Sequence, residues 1–210
     1  MSERRTQVTP EMEEFFAPYW GSPDALLVEI QQDIHRRGKF EMQISFEQVA
    51  FHAWLCRLIG ARRVLEVGTY LGLSSAAFAQ AMGPEGHVDT VEFEPEHADI
   101  AEEWHRKGGL QERISVHRGA GLDVVPKLAG PYDLCFLDGD KAENPVLLAA
   151  CIPLTRKGGL ILADNAFRDG KVMTEETDAT RRTLALAREL PGVDPVVVPV
   201  ADGILVCRVV

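Results

Sequence analysis

Polar side chains with metal-binding chemistry follow two apolar runs in the second half of the chain. Asp138 comes directly after Tyr132-Asp-Leu-Cys-Phe-Leu137, and Asp164-Asn165 come directly after Gly159-Leu-Ile-Leu-Ala163. Short apolar runs are typical of strands buried on both faces of a parallel sheet, and ligands bind just beyond the carboxyl ends of such strands. Two carboxylates and an amide oxygen suit Mg²⁺, which usually keeps several waters. The sequence therefore predicts a divalent-cation site where these two strands end.

A second candidate site is the glycine-containing loop that follows an earlier apolar run. Arg62-Arg-Val-Leu-Glu-Val67 leads into Gly68-Thr-Tyr-Leu-Gly72, and an alanine-rich helix follows. Glycines allow a tight turn and a close approach of a ligand to the backbone. The GxxxG spacing differs from the GxGxxG of dinucleotide pyrophosphate sites, and many α/β proteins use such a junction only for packing.

Two glutamates narrow the choice of ligand for this loop. Glu66 lies at the end of the first predicted strand, where a carboxylate suits a cationic ligand better than a pyrophosphate. Glu92 ends the second predicted strand, where it can accept hydrogen bonds from ribose hydroxyls. A cofactor with a positive centre and a ribose, but without phosphates, fits both residues. S-adenosylmethionine is such a molecule.

Alternating strands and helices must position these residues. We predict an α/β fold, a Rossmann-like doubly wound sheet of seven mostly parallel strands whose last strand returns antiparallel. A polar lead-in of about 45 residues precedes it, with an aromatic cluster at 15–20 that could be a docking patch, a substrate lid or a dimer contact. The predicted strands are 63–67, 87–92, 114–118, 132–137, 159–163, 196–200 and 204–210. The predicted helices are 23–36, 46–59, 74–82, 96–107, 122–128, 145–154 and 175–190.

Length and composition limit the class of protein. The 210 residues suit a single α/β domain spanning 1–210. A formal net charge of −10 opposes binding to nucleic-acid phosphates, although a local basic patch stays open. The four cysteines form no CxxC pair, which predicts reduced and buried thiols. Since no signal peptide or membrane-spanning segment is recognisable, we expect a cytoplasmic protein without membrane contacts.

Three motifs together resemble those of the cation-dependent O-methyltransferases, which include catechol O-methyltransferase, the caffeoyl-CoA O-methyltransferases and small bacterial relatives. The motifs are Leu65-Glu-Val-Gly-Thr-Tyr-Leu-Gly-Leu-Ser74, Phe136-Leu-Asp-Gly-Asp-Lys141, and Ala163-Asp-Asn165 with Asp169-Gly-Lys-Val172. Segments 42–48 and 201–204 also agree, so the similarity runs from about residue 40 to the C-terminus.

The resemblance implies an enzyme with the class I S-adenosylmethionine-dependent methyltransferase fold. Its expected cofactors are S-adenosylmethionine and a divalent cation, which is Mg²⁺ with Mn²⁺ or Ca²⁺ as alternatives. Its expected acceptor is a small hydroxylated molecule, most simply a catechol-like aromatic one with vicinal oxygens. We also expect a homodimer.

The resemblance also implies a role for each matching residue. Asp138, Asp164 and Asn165 would hold the cation. Asp138 and Lys141 would be catalytic, with Lys141 taking the acceptor proton if neighbouring cations depress its pKa; alternatively, Lys141 is a loop lysine paired with Asp140. The remaining implied contacts are to S-adenosylmethionine: Ile44 through its backbone, Glu66 in the acidic position of the first strand, Gly68, Thr69, Tyr70 and Ser74 around the methionine portion, Glu92 at the ribose, Ala120 beside the adenine, and Asp138.

The chain departs from the family near Lys141 and Asn165. Stretch 142–148 lacks the aromatic residues of many relatives, Ala166-Phe167-Arg168 replaces Val-Leu-Trp, and Gly139 replaces an alanine. Arg168 could pair with a substrate carboxylate or phosphate, or with surface acids. Three other functions stay open here: methylation of a hydroxylated uridine in tRNA, cofactor binding without catalysis, and an NAD-dependent oxidoreductase, which the missing GxGxxG disfavours.

Overall fold

The computed structural model describes residues 8–21, 24–38, 43–174 and 179–210, and its centre is a seven-stranded sheet. The strands are β1 (Arg63–Val67), β2 (His87–Glu92), β3 (Ile114–Arg118), β4 (Tyr132–Leu137), β5 (Thr155–Ala163), β6 (Val193–Val198) and β7 (Ile204–Val209). Their order across the sheet is β3-β2-β1-β4-β5-β7-β6. The first five strands are parallel, whereas β7 is antiparallel to both β5 and β6. The predicted doubly wound fold is therefore confirmed.

Helices cover both faces of the sheet. They are α1 (Pro10–Phe16), α2 (Ala25–Arg36), α3 (Phe46–Leu58), α4 (Leu73–Met82), α5 (Pro95–Lys107), α6 (Gly121–Val124), α7 (Asn144–Cys151) and α8 (Ala179–Glu189). Short 3₁₀ helices span Ala17–Trp20, Val125–Lys127 and Arg168–Met173. None of the helices in the described ranges is long and apolar enough to cross a membrane.

The sheet separates two hydrophobic cores, and alternate residues of one strand belong to different cores. In β4, Leu134 and Phe136 pack with α2, α3 and α4, whereas Cys135 and Leu137 pack with α7 and α8. Because successive side chains of a strand point to opposite faces, a strand covered on both faces must be apolar throughout. This requirement explains the continuous apolar runs in the sequence. All four cysteines are free and buried, as predicted.

The predicted boundaries are correct for β1 to β4 and differ elsewhere for local reasons. β5 begins at Thr155 rather than at 159, because Thr155 pairs with Tyr132 across an irregularity in the β4–β5 ladder. β6 covers 193–198 rather than 196–200, because a hydrogen-bonded turn occupies 200–203. Pro195 is tolerated in β6 because this strand lies at the edge of the sheet.

The described part of the N-terminal 45 residues contains one more α-helix than predicted. Besides α2 it forms α1, whose N-terminus is capped by the Thr9 side chain with Pro10 as the first helical residue. The predicted helix 122–128 is instead a single turn, α6, followed by a 3₁₀ turn that contains Pro126. Within the predicted helix 175–190, residues 175–178 lie outside the described ranges, as do Pro23 of the first predicted helix and Met42 of the upstream motif.

Candidate active site

A cavity of about 500 Å³ lies at the carboxyl ends of β1, β2, β3 and β4. The strand order reverses between β1 and β4, and open α/β sheets bind ligands at such a point. The cavity is lined by Val67, Gly68, Tyr70, Val91, Glu92, Phe93, Glu94, His97, Gly119, Ala120, Gly121, Asp138, Gly139, Asp140 and Glu143.

The glycine loop closes one wall of the cavity because its backbone adopts conformations that side chains would prevent. Gly68 has a φ of +102°, and a Cβ there would lie 2.7 Å from the carbonyl carbon of Asp138. Gly72 precedes α4 in the left-handed region, with a φ of +89°. The loop can therefore turn tightly from β1 into α4 only with glycine at these positions.

Glu92 is held rigidly at the end of β2. Its Oε2 accepts a hydrogen bond from the Tyr70 amide at 2.7 Å, and its Oε1 accepts one from the Glu94 amide at 2.9 Å. The Nδ1 of His97 lies 3.6 Å from Oε1, and the His97 ring packs edge-on against the Tyr70 ring. The amides of Tyr70 and Glu94 and the His97 ring thus fix the Glu92 carboxylate. Its oxygens have further lone pairs that can accept hydrogen bonds from hydroxyl groups of a ligand.

Glu66 lies behind the glycine loop and is fully buried. Its Oε2 accepts a hydrogen bond from the Thr90 hydroxyl at 2.5 Å, and the Thr90 and Thr69 hydroxyls lie 2.6 Å apart. Burial raises the pKa of Glu66 to about 8, although hydrogen bonds from Ser74 and Thr90 oppose the shift. The carboxyl is consequently protonated near neutral pH, and it supports the loop from within the core.

The ends of β4 and β5 bring Asp138 and Asp164 close together, and Asn165 directly follows Asp164. The Lys141 Nζ donates to Asp138 Oδ1 at 2.7 Å, so Lys141 pairs with Asp138. Asp140 instead accepts a hydrogen bond from the backbone amide of Ala142. Burial and the nearby charge of Asp138 raise the pKa of Asp164 to about 7.

Two residues from distant segments hold the side chains of this cluster. Gln48 Nε2, in the first turn of α3, donates to Asp164 Oδ1 at 2.6 Å, and the same glutamine forms a capping box with Ser45. Asp202, in the turn between β6 and β7, accepts a hydrogen bond from Asn165 Nδ2 at 3.1 Å. Asp202 also accepts from the Asp169 amide at 2.9 Å, which orders the loop after Asn165.

In the part of the chain that the structure describes, no group of three or more His, Cys, Asp or Glu could hold a metal ion. The ligands predicted from the sequence are not such a group, because they are the carboxylates of Asp138 and Asp164 and the amide oxygen of Asn165. Its chemistry is that of a hard-cation site with two carboxylates.

Comparison with known proteins decides the family. A family model described as O-methyltransferase matches residues 21–210. The chain belongs to the O-methyltransferase family. A catechol O-methyltransferase of Mycobacterium tuberculosis is 41% identical to this O-methyltransferase over 156 residues, which cover 72% of this chain and 71% of the relative.

Solved structures agree with the family assignment. An O-methyltransferase from Bacillus cereus in complex with SAH has a TM-score of 0.87 and 28% identity, covering 95% of this chain and 97% of that chain. TomG from Streptomyces achromogenes, an O-methyltransferase of tomaymycin synthesis in complex with SAM, has a TM-score of 0.87 and 26% identity, covering 95% and 96%. The predictions of an S-adenosylmethionine-dependent O-methyltransferase and of its class I fold are confirmed.

The predicted cofactor residues of this O-methyltransferase fall into two groups. Five line the cavity: Gly68, Tyr70, Glu92, Ala120 and Asp138. The other four lie outside its lining: Ile44 is buried in the core with α2 to α4, Thr69 and Glu66 contact Thr90, and Ser74 in the first turn of α4 hydrogen-bonds to Glu66. Their proposed roles in cofactor binding stay predictions.

Sequence reasoning missed Gln48, Asp202 and Glu143 at this site. Gln48 belongs to segment 42–48 and Asp202 to segment 201–204, so both were part of the family resemblance, but neither was given a role. Glu143 lay in a stretch noted only for its lack of aromatic residues. No local pattern assigns a contact to residues that reach a site from another element.

Proposed function

We propose that this O-methyltransferase transfers the methyl group of S-adenosylmethionine to a hydroxyl of a small catechol-like acceptor and uses a divalent cation to do so. The observation that carries this proposal is the convergence of Asp138, Asp164 and Asn165 beside Lys141, next to the cavity that contains Glu92.

The cavity has the polar groups that this cofactor needs. Glu92 would accept hydrogen bonds from the ribose hydroxyls through the lone pairs that its two backbone donors leave free. The N-terminus of α4 is electropositive and suits the cofactor's carboxylate, while Asp138 suits its positive charge. The SAM and SAH complexes of the two structural relatives support this assignment.

The oxygen cluster fits a divalent cation. Burial and the nearby charge of Asp138 raise the pKa of Asp164 to about 7, so a cation between these two carboxyl groups would relieve their repulsion. Since Asn165 Nδ2 donates a hydrogen bond to Asp202, the Oδ1 atom of Asn165 is the one that could bind a cation. When bound, a cation favours the ionised form of a hydroxyl and helps to position it. The name of the Mycobacterium tuberculosis relative supports a catechol-like acceptor.

Lys141 would take the proton of the acceptor hydroxyl. A phenolic hydroxyl has a pKa near ~10 and is mostly protonated at neutral pH, so methyl transfer needs a group that removes the proton. The Lys141 Nζ lies within hydrogen-bond distance of Asp138, at the edge of the oxygen cluster, and only its neutral amine, the form that a cation bound at Asp138 would favour, can take the proton. The single domain, the cytoplasmic location and the homodimer remain predictions.

Chelation tests the proposal. We expect EDTA to abolish release of S-adenosylhomocysteine with a catechol acceptor, and Mg²⁺ or Mn²⁺ to restore it, because the cation ionises and positions the hydroxyl. Asp164→Ala should lose turnover but keep S-adenosylmethionine binding in calorimetry. Asp194→Ala is the matched control, since Asp194 is exposed on the edge strand β6 and should leave activity unchanged. Full turnover in exhaustively demetallated protein would refute the cation requirement.

A further inference from the structure

The cavity contains a carboxyl group that none of the roles above uses. Glu143 precedes α7 and lines the cavity. Its side chain reaches the loop after β3: a Cβ on Gly121 would lie 3.1 Å from Glu143 Oε2. Glu143 therefore connects the loop after β4 with the loop after β3.

The strand order determines the order in which polar groups follow one another along the cavity. The oxygen cluster follows β4 and β5, the glycine loop follows β1, Glu92 ends β2, and the loop 119–121 follows the edge strand β3. The amide of Gly119 donates to the Glu92 carbonyl, which places this loop directly beside the ribose-binding carboxylate. With the reactive methyl group near Asp138 and the ribose at Glu92, the base extends toward loop 119–121 and Glu143.

Loop 119–121 itself has no side chain that can recognise the edge of a base. Gly119, Ala120 and Gly121 have no polar side chains, and Phe93 offers only a ring. Adenine presents an amino donor at position 6, and a carboxylate is an acceptor without a donor. The oxygens of a Glu143 carboxylate can accept a hydrogen bond from a ligand. Burial, together with the nearby Asp140 and Asp123, raises the pKa of Glu143, in line with a carboxyl partly withdrawn from water.

We propose that Glu143 determines base specificity by accepting a hydrogen bond from the 6-amino group of the cofactor's adenine. This inference rests on the proposed function, because it requires S-adenosylmethionine to occupy the cavity. It adds a side-chain contact by which the protein would distinguish adenine from a base with a carbonyl oxygen at position 6. The Glu143 carboxylate would repel that oxygen.

A comparison of two ligands in three variants tests the proposal. Calorimetry would give the affinities of S-adenosylhomocysteine and of S-inosylhomocysteine, in which an oxygen replaces the amino group. We expect wild-type protein to prefer the adenosyl ligand by roughly tenfold or more, the effect of one hydrogen bond that ends at a charged acceptor. Glu143→Ala should reduce this preference to near unity, because it weakens the adenosyl ligand and relieves the repulsion that the inosyl ligand meets.

Two further variants separate recognition from structural damage. Glu143→Gln should keep most of the affinity for S-adenosylhomocysteine and tighten S-inosylhomocysteine, because an amide can also donate to the oxygen. Glu112→Ala removes an exposed carboxylate that does not line the cavity and should preserve the wild-type preference.

The possible failures are distinguishable. Wild-type protein that binds neither ligand would overturn both this inference and the proposed function. Wild-type protein that binds S-adenosylhomocysteine, with the same base preference in Glu143→Ala, would overturn the role of Glu143 and leave the proposed function standing.

Discussion

At the scale of single residues, hydrogen bonds hold the side chains of the oxygen cluster, and two of the three partners come from distant segments. Asp138 holds Lys141, Asp164 accepts from Gln48, and Asn165 donates to Asp202. Partners of this kind fix the orientation of ligand side chains, and their loss typically weakens metal binding or activity by about 10–100-fold. The chemistry therefore depends on α3 and on the β6–β7 turn as much as on β4 and β5.

Lys141 is the residue whose role is most open to a kinetic test. We expect Lys141→Ala to lower kcat by roughly 10²–10⁴ for acceptors whose hydroxyl stays protonated, because no other group in its place takes the proton. The loss should shrink across a series of catechols as the hydroxyl pKa falls. Lys127→Ala, at an exposed lysine in the 3₁₀ turn after α6, is the control.

The dependence on acceptor pKa distinguishes a base from a residue that only shapes its loop. An equal loss for every acceptor, under conditions where the chemical step limits turnover, would show that Lys141 acts through loop structure. Steady-state kcat together with single-turnover rates gives this comparison.

At the scale of elements, the close approach of β1 and β4 builds the centre of the site. The Asp138 amide donates to the Val67 carbonyl, and Gly68 lies against the Asp138 backbone. This contact sets the distance between the glycine loop, which would receive the cofactor, and the loop that carries Asp138 and Lys141.

Gly68→Ala tests the importance of this contact for stability. Its Cβ would lie 2.7 Å from the Asp138 carbonyl carbon, so the two strand ends must separate. Gly60→Ala is the matched control, because Gly60 also has a positive φ of +60° but has nothing within 4 Å of a Cβ. We expect the control to cost about 1–2 kcal/mol through its backbone alone.

Gly68→Ala should cost about 1–3 kcal/mol more than the control, the usual range for overpacking. Urea unfolding of both variants measures the difference. A loss of stability no larger than that of Gly60→Ala would show that the β1–β4 junction has room to relax.

At the scale of the whole molecule, buried acids make stability depend on pH. Glu66 has a pKa of about 8 in the folded protein and 4.5 as its ordinary value. Between these values the folded chain holds a proton that the unfolded chain has released. The free energy of unfolding therefore falls as pH rises through this window, by up to about 1.4 kcal/mol per pH unit.

Glu66→Gln should remove this part of the pH dependence, whereas Glu85→Gln, at an exposed position, should keep it. Urea unfolding between pH values of about 6.5 and about 8 gives the comparison. The buried His52 and His105, whose pKa values are lowered to about 3 and about 4 in the folded protein, also release protons in the unfolded chain near pH ~6.5, but they contribute alike to wild type and variant. Parallel pH profiles for wild type and Glu66→Gln would contradict a protonated Glu66.

The sequence by itself determined the strands and the positions of the oxygen cluster. β1 to β4 were predictable to the residue. For β1 and β4 the reason is that strands buried on both faces are mostly apolar, and these two runs end abruptly at Gly68 and Asp138. Asp138, Asp164 and Asn165 could be grouped because they follow strands of one parallel sheet, whose carboxyl ends share an edge.

Only the tertiary structure decided which residues complete the site. Gln48 and Asp164 are 116 positions apart, and Glu143 meets Gly121 across two loops. Such contacts depend on how helices pack on the sheet, and the spacing of residues along the chain carries no information about them. Likewise, the sequence suggests that Glu66 is charged, whereas its burial in β1 beside Thr90 of β2 favours the neutral form of its carboxyl group. Local patterns specify elements, and packing specifies the environment of each side chain.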